Sequence, residues 1–307
     1  MNLVFFGTSE FACPALRSLD DWHGIELVVT QPDRPFGRHA ELRSSSVKQV
    51  ALERGLALIQ PKSINDPEAV EILRDISPDV IVVASYGQLL KAVVFDLPRL
   101  GTINIHASLL PAYRGAAPVN WAIMRGEEKT GISTFTIERG MDTGDMLLTE
   151  SLDIGPDETA AELEDRLAQL GSDVILKTLD GLASGSLQAT PQPQHGGSLA
   201  PSLTRDDGHI DWHQSAKQIH NLVRGTIPWP GAWTQMASHR VKIHRTRLTD
   251  FVSGVLHPGE IGLSETNRLL IGTQDRLVEI LELQREGKAR ISGRDFLHGL
   301  HLPASFI

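Results

Sequence analysis

Short β-branched runs alternate with amphipathic stretches through the first 150 residues: "NLVFFG", "IELVVTQ", "SVKQVALERG", "ALIQ", "PEAVEILRDI" and "DVIVVASYG". A parallel strand is covered by helices on both faces, so it reads as a continuous apolar run, and the covering helices read as amphipathic segments between such runs. The alternation therefore predicts an α/β fold, a Rossmann-like open and mostly parallel sheet. "GTINIHASLLP" continues as a strand and "APVNWAIMRG" as a helix. "GISTFTIE" and "DMLLTESLDI" read as paired strands close to the sheet's edge. "DETAAELEDRLAQLGSDVILKTLDGLASG" reads as a long amphipathic helix with acidic residues in its first turn.

The pattern then breaks. "SLQATPQPQHGGSLAPSLT", residues 186 to 204, is rich in Pro, Gly, Ser and Gln without periodicity, and reads as a linker. Beyond it "SAKQIHNLVRG" is a helix, and "WTQMAS", "RVKIHRTRL", "GEIGL", "RLLIGT" and "RLVEILELQ" are short strands at close spacing, suited to a small β-barrel (OB-like) or sandwich. The expected organisation is an α/β domain over 1–188, a linker over 189–205 and a β-barrel domain over 206–307. A chain of 307 residues has room for two cores.

Composition narrows the classes. The formal charge of −9 is unevenly spread: 17 Lys and Arg face 28 Asp and Glu up to Asp206, and 12 face 10 after it. General nucleic-acid affinity is thus not expected of the whole chain, although the second part can hold a polyanion locally. No run of about eighteen apolar residues suggests a membrane span. The opening apolar run lacks a basic leader and reads as a first strand, not a signal peptide. Cys13 is the single cysteine, which excludes an internal disulfide and suits a cytoplasmic protein.

The first glycine loop, "FFGTSEFA", has Gly7 alone where a dinucleotide fingerprint needs three glycines, and no phosphate-binding G-x-x-x-x-G-K-[ST] occurs. In an open α/β sheet ligands lie beyond the carboxyl ends of the strands, where this loop, "SYGQLL" and "HASLLPAYRG" converge. Asn104 and His106 stand at i and i+2 on one strand and share a face. A lone strand histidine is commonly satisfied by neighbouring loops. Here "ERGMDTGD" adds Asp142 and Asp145, and a carboxylate beside an imidazole fixes its tautomer and is expected to hold a proton on it near neutral pH. An amide donor, a histidine and a carboxylate suit acyl transfer, and with no serine or cysteine nucleophile beside them the acyl group should pass directly to an amine. His209 and His213 have metal-like spacing but no third ligand, so no metal is expected.

"INIHASLLPAYRGAAPVNWAI" followed by "ERGMDTGDML" closely resembles the folate-dependent formyltransferases, whose site is an Asn-x-His strand plus the Asp of a D-x-G-D loop. "FFGTSEFA", "TQPDRPFGR" and "IDWHQSAKQIHNLVRGTIPWPGAW" resemble one branch in particular, the methionyl-tRNA formyltransferases. The resemblance implies transfer of a formyl group from the cosubstrate 10-formyltetrahydrofolate to the α-amine of methionine on charged initiator tRNA, for translation initiation. It implies that Asn104 bonds the formyl oxygen and its anionic form, that His106 serves that oxyanion and the proton traffic, and that Asp142 poises His106. Ser108, Leu109, Leu110 and Pro111 match the folate-binding stretch, and the backbone of Tyr86, Gly87, Gln88, Leu89 and Leu90 would face the pterin. The second domain would grip tRNA, and the chain would act as a monomer without metal or membrane.

The hydrophilic stretch from Arg34 to Lys48 lacks apolar periodicity and reads as a mobile loop; with Arg34, Arg38, Arg43 and Lys48 it would guide the acceptor strand. It departs from the family after "GR", where "HAELRSSSVK" lacks two expected positive charges and adds Glu41. A glycinamide ribonucleotide formyltransferase would need no domain after the linker, and a sugar-nucleotide formyltransferase would lack "QPDRPFGR". A catalytically silent RNA-binding module is the alternative from another class, and the intact Asn104, His106 and Asp142 set argues against it.

Overall fold

Leu3–Gly7 (β1) is buried at all five positions, and the first sheet grows outward from it. In the computed structural model, which describes residues 1–36, 41–193, 195–237, 239–252, 256–263, 267–298 and 305–307, helix Cys13–His23 (α1) leads to Leu27–Val29 (β2), parallel to β1. Arg34–Phe36 (β3) and Glu41–Arg43 (β4) form a separate antiparallel ribbon in which Arg34 faces Arg43. Ser46–Glu53 (α2), capped by the Ser45 hydroxyl, precedes Leu58–Ile59 (β5). Pro67–Ile76 (α3) then leads to Val80–Ala84 (β6), and Ala92–Phe95 (α4) to Thr102–His106 (β7). Helix Pro118–Met124 (α5) follows, then Lys129–Thr136 (β8), Met146–Asp153 (β9) and Ala160–Ser184 (α6).

The sheet order is β5-β2-β1-β6-β7-β8-β9. The pairs from β5 to β7 are parallel, and β8 joins β7 antiparallel near one edge. This is the mostly parallel α/β sheet that the alternating runs predicted, and the order reverses direction between β1 and β6, the place where such sheets open a crevice. Val4, Phe6, Ile81, Val83 and Tyr86 pack in one core cluster on this sheet.

After a long stretch whose one helical turn is the 3-10 turn Asp206–Gly208, among the described residues, come Ala216–Gly225 (α7), Ala232–Met236 (β10), His239–Val252 (β11), Ile261–Leu263 (β12), Leu269–Gly272 (β13), Arg276–Arg285 (β14), Arg290–Ser292 (β15) and Gly293–Leu297 (α8). These strands form an antiparallel sheet in the order β10-β11-β14-β13-β12, with β15 on β14. Register shifts along β11 bend it, as bulges do, and the sheet curls into a half-barrel around Trp212, Ile219, Val223, Val241 and Ile243.

By compactness the chain forms two interleaved units. The first holds Met1–Gly115, Thr130–Leu152 and Glu164–Leu199; the second holds Ala116–Lys129, Asp153–Leu163 and Ala200–Ile307. Within the second unit α7 binds both inserted segments. Asn120 Nδ2 donates to the Gly225 carbonyl at 2.8 Å, and the buried Arg224 Nη1 donates to the carbonyls of Gly155 and Glu158 at 3.1 and 3.0 Å. Burying a guanidinium is tolerable only when its N–H groups are bonded, and Arg224 Nε and Nη2 also reach Asn221 Oδ1. Among the described residues no helix is long and apolar enough to cross a membrane.

Candidate active site

β7 is built to present two polar side chains. Ile103 and Ile105 are buried on one face, while Asn104 and His106 share the other, opposite Phe135 and Ser133 of β8. His106 ends the strand and is 6 % exposed. Its Nε2 lies 2.9 Å from the Tyr113 carbonyl oxygen, and since a carbonyl only accepts, Nε2 carries the proton. Its Nδ1 faces Asp142 Oδ2 at 3.7 Å, beyond hydrogen-bond reach. The ring meets Phe135 edge-on. The expectation that Asp142 holds a proton on His106 near neutral pH is overturned: burial pulls the imidazole pKa below its ordinary value, and Asp142 and the Tyr113 carbonyl oppose this without reversing it. Burial thus favours the neutral ring, whose Nδ1 keeps its lone pair.

Of the two acidic candidates in the glycine loop, Asp142 reaches His106, whereas Asp145 is tied to β8 through its backbone carbonyl, which accepts from Thr136 N. Asp142 Oδ2 also accepts from the Gly115 N–H at 2.8 Å. Asp142 and Tyr113 both have positive φ, +54° and +60°. Non-glycine residues in that region cost on the order of 1–3 kcal/mol each and persist where surrounding contacts impose them. Gly144 is required beside them, because a Cβ there would fall inside the Thr136 carbonyl. Asn104 is partly exposed, and among the described residues nothing hydrogen-bonds its carboxamide. Its N–H donors are therefore available on the face His106 occupies.

The two stretches expected to bind folate follow the ends of β6 and β7. The Ser108 hydroxyl donates to the Ala112 carbonyl at 2.6 Å and is fully buried; its own carbonyl accepts from Ser133 Oγ, which in turn accepts from Leu110 N. Leu110 is buried, and Leu109 and Pro111 are partly so. Tyr86 is buried against Phe6, its carbonyl accepting from Thr8 Oγ1 and Gln31 Nε2, and among the described residues its hydroxyl has no partner. Gly87 has φ +81°, close against Gln31. Gln88 is committed to Ile64 N, Leu90 is buried, and Leu89 is 77 % exposed.

Arg34, Arg43 and Lys48 do not lie in an irregular loop, as their lack of periodicity suggested. Arg34 and Arg43 face each other across the β3–β4 ribbon, and Lys48 lies in α2 with its ammonium 2.7 Å from Asp33. Polar strand pairs of three residues are too short to show alternation, which is why the sequence hid them. Arg38 lies outside the described residues. A cavity of about 310 Å³ opens among Thr8, Ser9, Gln31, Arg34, Arg43 and Tyr86, so two of the expected RNA contacts share it with the first of the residues expected to face the pterin. Arg34 is bonded there to Gln31.

Sequence reasoning assigned no role to Gln192, in the stretch read as linker. Its Nε2 donates to the Asp142 and Gly144 carbonyls, both at 2.8 Å, and its Oε1 accepts from Arg114 Nε and Nη2 at 3.1 and 2.5 Å. Ser198 likewise holds the Tyr113 turn, its hydroxyl accepting from Tyr113 N and its carbonyl from Arg114 N. A polar, aperiodic stretch carries no signal that separates a tether from a brace. His209, one of the two metal-like histidines, packs against Trp233, and among the described residues no cluster of His, Cys, Asp and Glu is arranged to hold a metal.

Comparison with known proteins gives the family. The family model described as formyl transferase matches residues 1–179, and the formyl transferase C-terminal domain model matches 202–301. A methionyl-tRNA formyltransferase of Ruminiclostridium cellulolyticum is 44 % identical over 301 residues, covering 97 % of this chain and 96 % of the relative. Among solved structures, WlaRD, a sugar 3N-formyl transferase in the presence of dTDP and 5-N-formyl-THF, aligns with a TM-score of 0.69 at 18 % identity over 94 % of this chain and 99 % of its own. HypX from Aquifex aeolicus in complex with tetrahydrofolic acid aligns with a TM-score of 0.63 at 19 % identity over 97 % of this chain and 47 % of its own, a likeness of fold. With both family models matched in order and 44 % identity along nearly the whole length of a methionyl-tRNA formyltransferase, the chain belongs to the formyltransferase family, among the methionyl-tRNA formyltransferases.

Proposed function

We propose that this chain transfers the formyl group of 10-formyltetrahydrofolate to the α-amine of methionyl-initiator tRNA. The observation that carries the chemistry is the uncommitted Asn104 carboxamide on the same strand face as a neutral His106, whose ring is fixed by the Tyr113 carbonyl and overlooked by Asp142. Near full-length identity to methionyl-tRNA formyltransferases supports the acceptor.

The residues fit the cosubstrate in kind: an amide donor for a formyl oxygen, and an exposed Leu89 beside strand ends, able to lie against a flat heteroaromatic ring. The bound folate supplies the electrophilic formyl carbon. Asn104 Nδ2 donates to the formyl oxygen, and that bond strengthens as the amine adds and negative charge develops. His106 Nδ1 takes the proton released from the amine, because Nε2 is already committed. Asp142, 3.7 Å away, then stabilises the imidazolium. When the carbon–N10 bond breaks, His106 returns that proton to the departing nitrogen, leaving an N-formyl amine and tetrahydrofolate. Arg34 and Arg43, which line the cavity that also reaches Tyr86, would meet acceptor-strand phosphates.

Purified protein with 10-formyltetrahydrofolate should formylate charged initiator tRNA and leave glycinamide ribonucleotide and amino-sugar nucleotides unmodified. Comparable turnover of either small acceptor would overturn the assignment. The protonation state adds a second expectation. A base must be neutral to work, and burial lowers the His106 pKa, so kcat/KM should fall only as pH drops below the ordinary imidazole value of about 6.5. Removing the Asp142 charge takes away an influence that raises the pKa, so the residual activity of Asp142→Asn should lose its acid limb at still lower pH. An acid limb centred above about 6.5 in the parent would contradict a neutral buried base.

A further inference from the structure

The loop carrying Asp142 has little to hold it. Residues 138 to 141 are exposed, the backbone from Ile137 to Asp145 has no helix or strand, and Asp142 itself is in the left-handed region. Yet its carboxylate must stand at a fixed distance from His106 Nδ1. Gln192 spends its whole bonding capacity there. Both N–H groups of its carboxamide go to the carbonyls of Asp142 and Gly144, and its oxygen receives the fork of Arg114. Gly115, next to Arg114, donates its N–H to the Asp142 carboxylate, and Tyr113 accepts from His106. Gln192 thus closes a ring that joins the carboxylate loop to the turn that orients the imidazole.

We infer that Gln192 is a positioning residue for formyl transfer: it holds Asp142 over His106 Nδ1 through the Asp142 and Gly144 carbonyls, and fixes the Tyr113–Gly115 turn through Arg114. The stretch that carries it is therefore part of the catalytic unit. This rests on the role given above to Asp142. A carboxamide is the group the position needs. Glutamate has nearly the same shape but turns an acceptor toward two carbonyl oxygens, and alanine leaves both carbonyls and the Arg114 fork without their partner. A misplacement of about 1 Å at a reacting group can cost on the order of a hundredfold.

The test is single-turnover formylation of methionyl-tRNA by the full chain as a function of pH, for the parent, Gln192→Ala, Gln192→Glu, Asp142→Asn and Gln192→Ala/Asp142→Asn. Both Gln192 variants should lose on the order of tenfold to a hundredfold in the single-turnover rate constant at saturating folate, with the half-saturating folate concentration within a few-fold. Their acid limb should move downward as in Asp142→Asn, since Asp142 is the charged group whose field raises His106, while its neighbours Tyr113, Phe135 and Ser133 are uncharged. In the Asp142→Asn background, removing Gln192 should add little, because the two act as one unit. A purely architectural glutamine would lower the melting temperature and the active fraction, leave the pH profile in place, and add its full loss in the double variant; that result would overturn the inference. Parent-like rates in the Gln192 variants beside a crippled Asp142→Asn would overturn it too. Parent-like rates in Asp142→Asn would instead remove the role of Asp142 itself.

Discussion

Asn104→Ala is expected to lower turnover by on the order of a hundredfold or more, while folate affinity changes by only a few-fold. The separation follows from when the amide is used. A neutral formyl oxygen accepts a weak bond, whereas the anionic oxygen of the transition state accepts a strong one, so the loss falls on kcat. His106 cannot substitute, because its one N–H is turned to the Tyr113 carbonyl and its other nitrogen has a lone pair, which repels an oxyanion until a proton arrives. Asn104→Asp should be at least as damaging, since a carboxylate places like charge against the developing one. Single-turnover rates with folate binding measured separately decide it: a loss confined to folate affinity would show that Asn104 binds the cosubstrate and does not stabilise the transition state.

Truncation after Gly197 should produce a chain that aggregates or melts without cooperativity. Residues Ala116–Lys129 and Asp153–Leu163 belong to the second unit, and the cut removes what they pack on. Ile123 and Met124 of α5 lie against Gly225 of α7, and Asn120, Gly155, Pro156 and Glu158 lose their partners on Gly225, Arg224 and His220. Val119, Ile123, Ile154 and Leu163 are all buried, and each is worth about 1.5–3 kcal/mol when buried. Exposing even part of that is comparable with the 5–15 kcal/mol that typically holds a domain together. Circular dichroism melts and sedimentation of residues 1–197 test this; a monomeric fragment with a sharp transition would show that the inserted segments fold without α7.

The alternation of buried runs was enough to read the parallel sheet, since strands such as Val80–Ala84 are apolar on both faces and nothing else explains them. Asn104, His106 and Asp142 were legible for the opposite reason: polar groups where a strand should be apolar, and a carboxylate in a glycine-rich loop. The proton state of His106 was not legible, because it depends on how deeply the ring is buried against Phe135 and the Tyr113 turn, a quantity that spacing does not encode. Gln192 was hidden in a stretch whose composition matched that of a flexible connector. Its role arises from three hydrogen-bond partners far away in sequence. The engagement of Lys48 with Asp33 was missed for the same reason: a count of positive charges does not reveal which already have a counter-ion.

The interleaving of α5 with α7 also bears on how the chain comes into being. A polypeptide leaves the ribosome from its amino end, and α5, at Pro118–Met124, emerges roughly 100 residues before α7, at Ala216–Gly225. At about 5–20 residues per second, its apolar side chains wait roughly 5–20 s for their partner. The first sheet can pair its parallel strands in that interval, but the nascent chain carries an unsatisfied helix until the second half has been made. A stall in translation between Ser186 and Ala216 would prolong the time that Ile123 and Met124 lack the α7 surface they pack on. The slower the synthesis, the longer the nascent chain carries that helix without its partner.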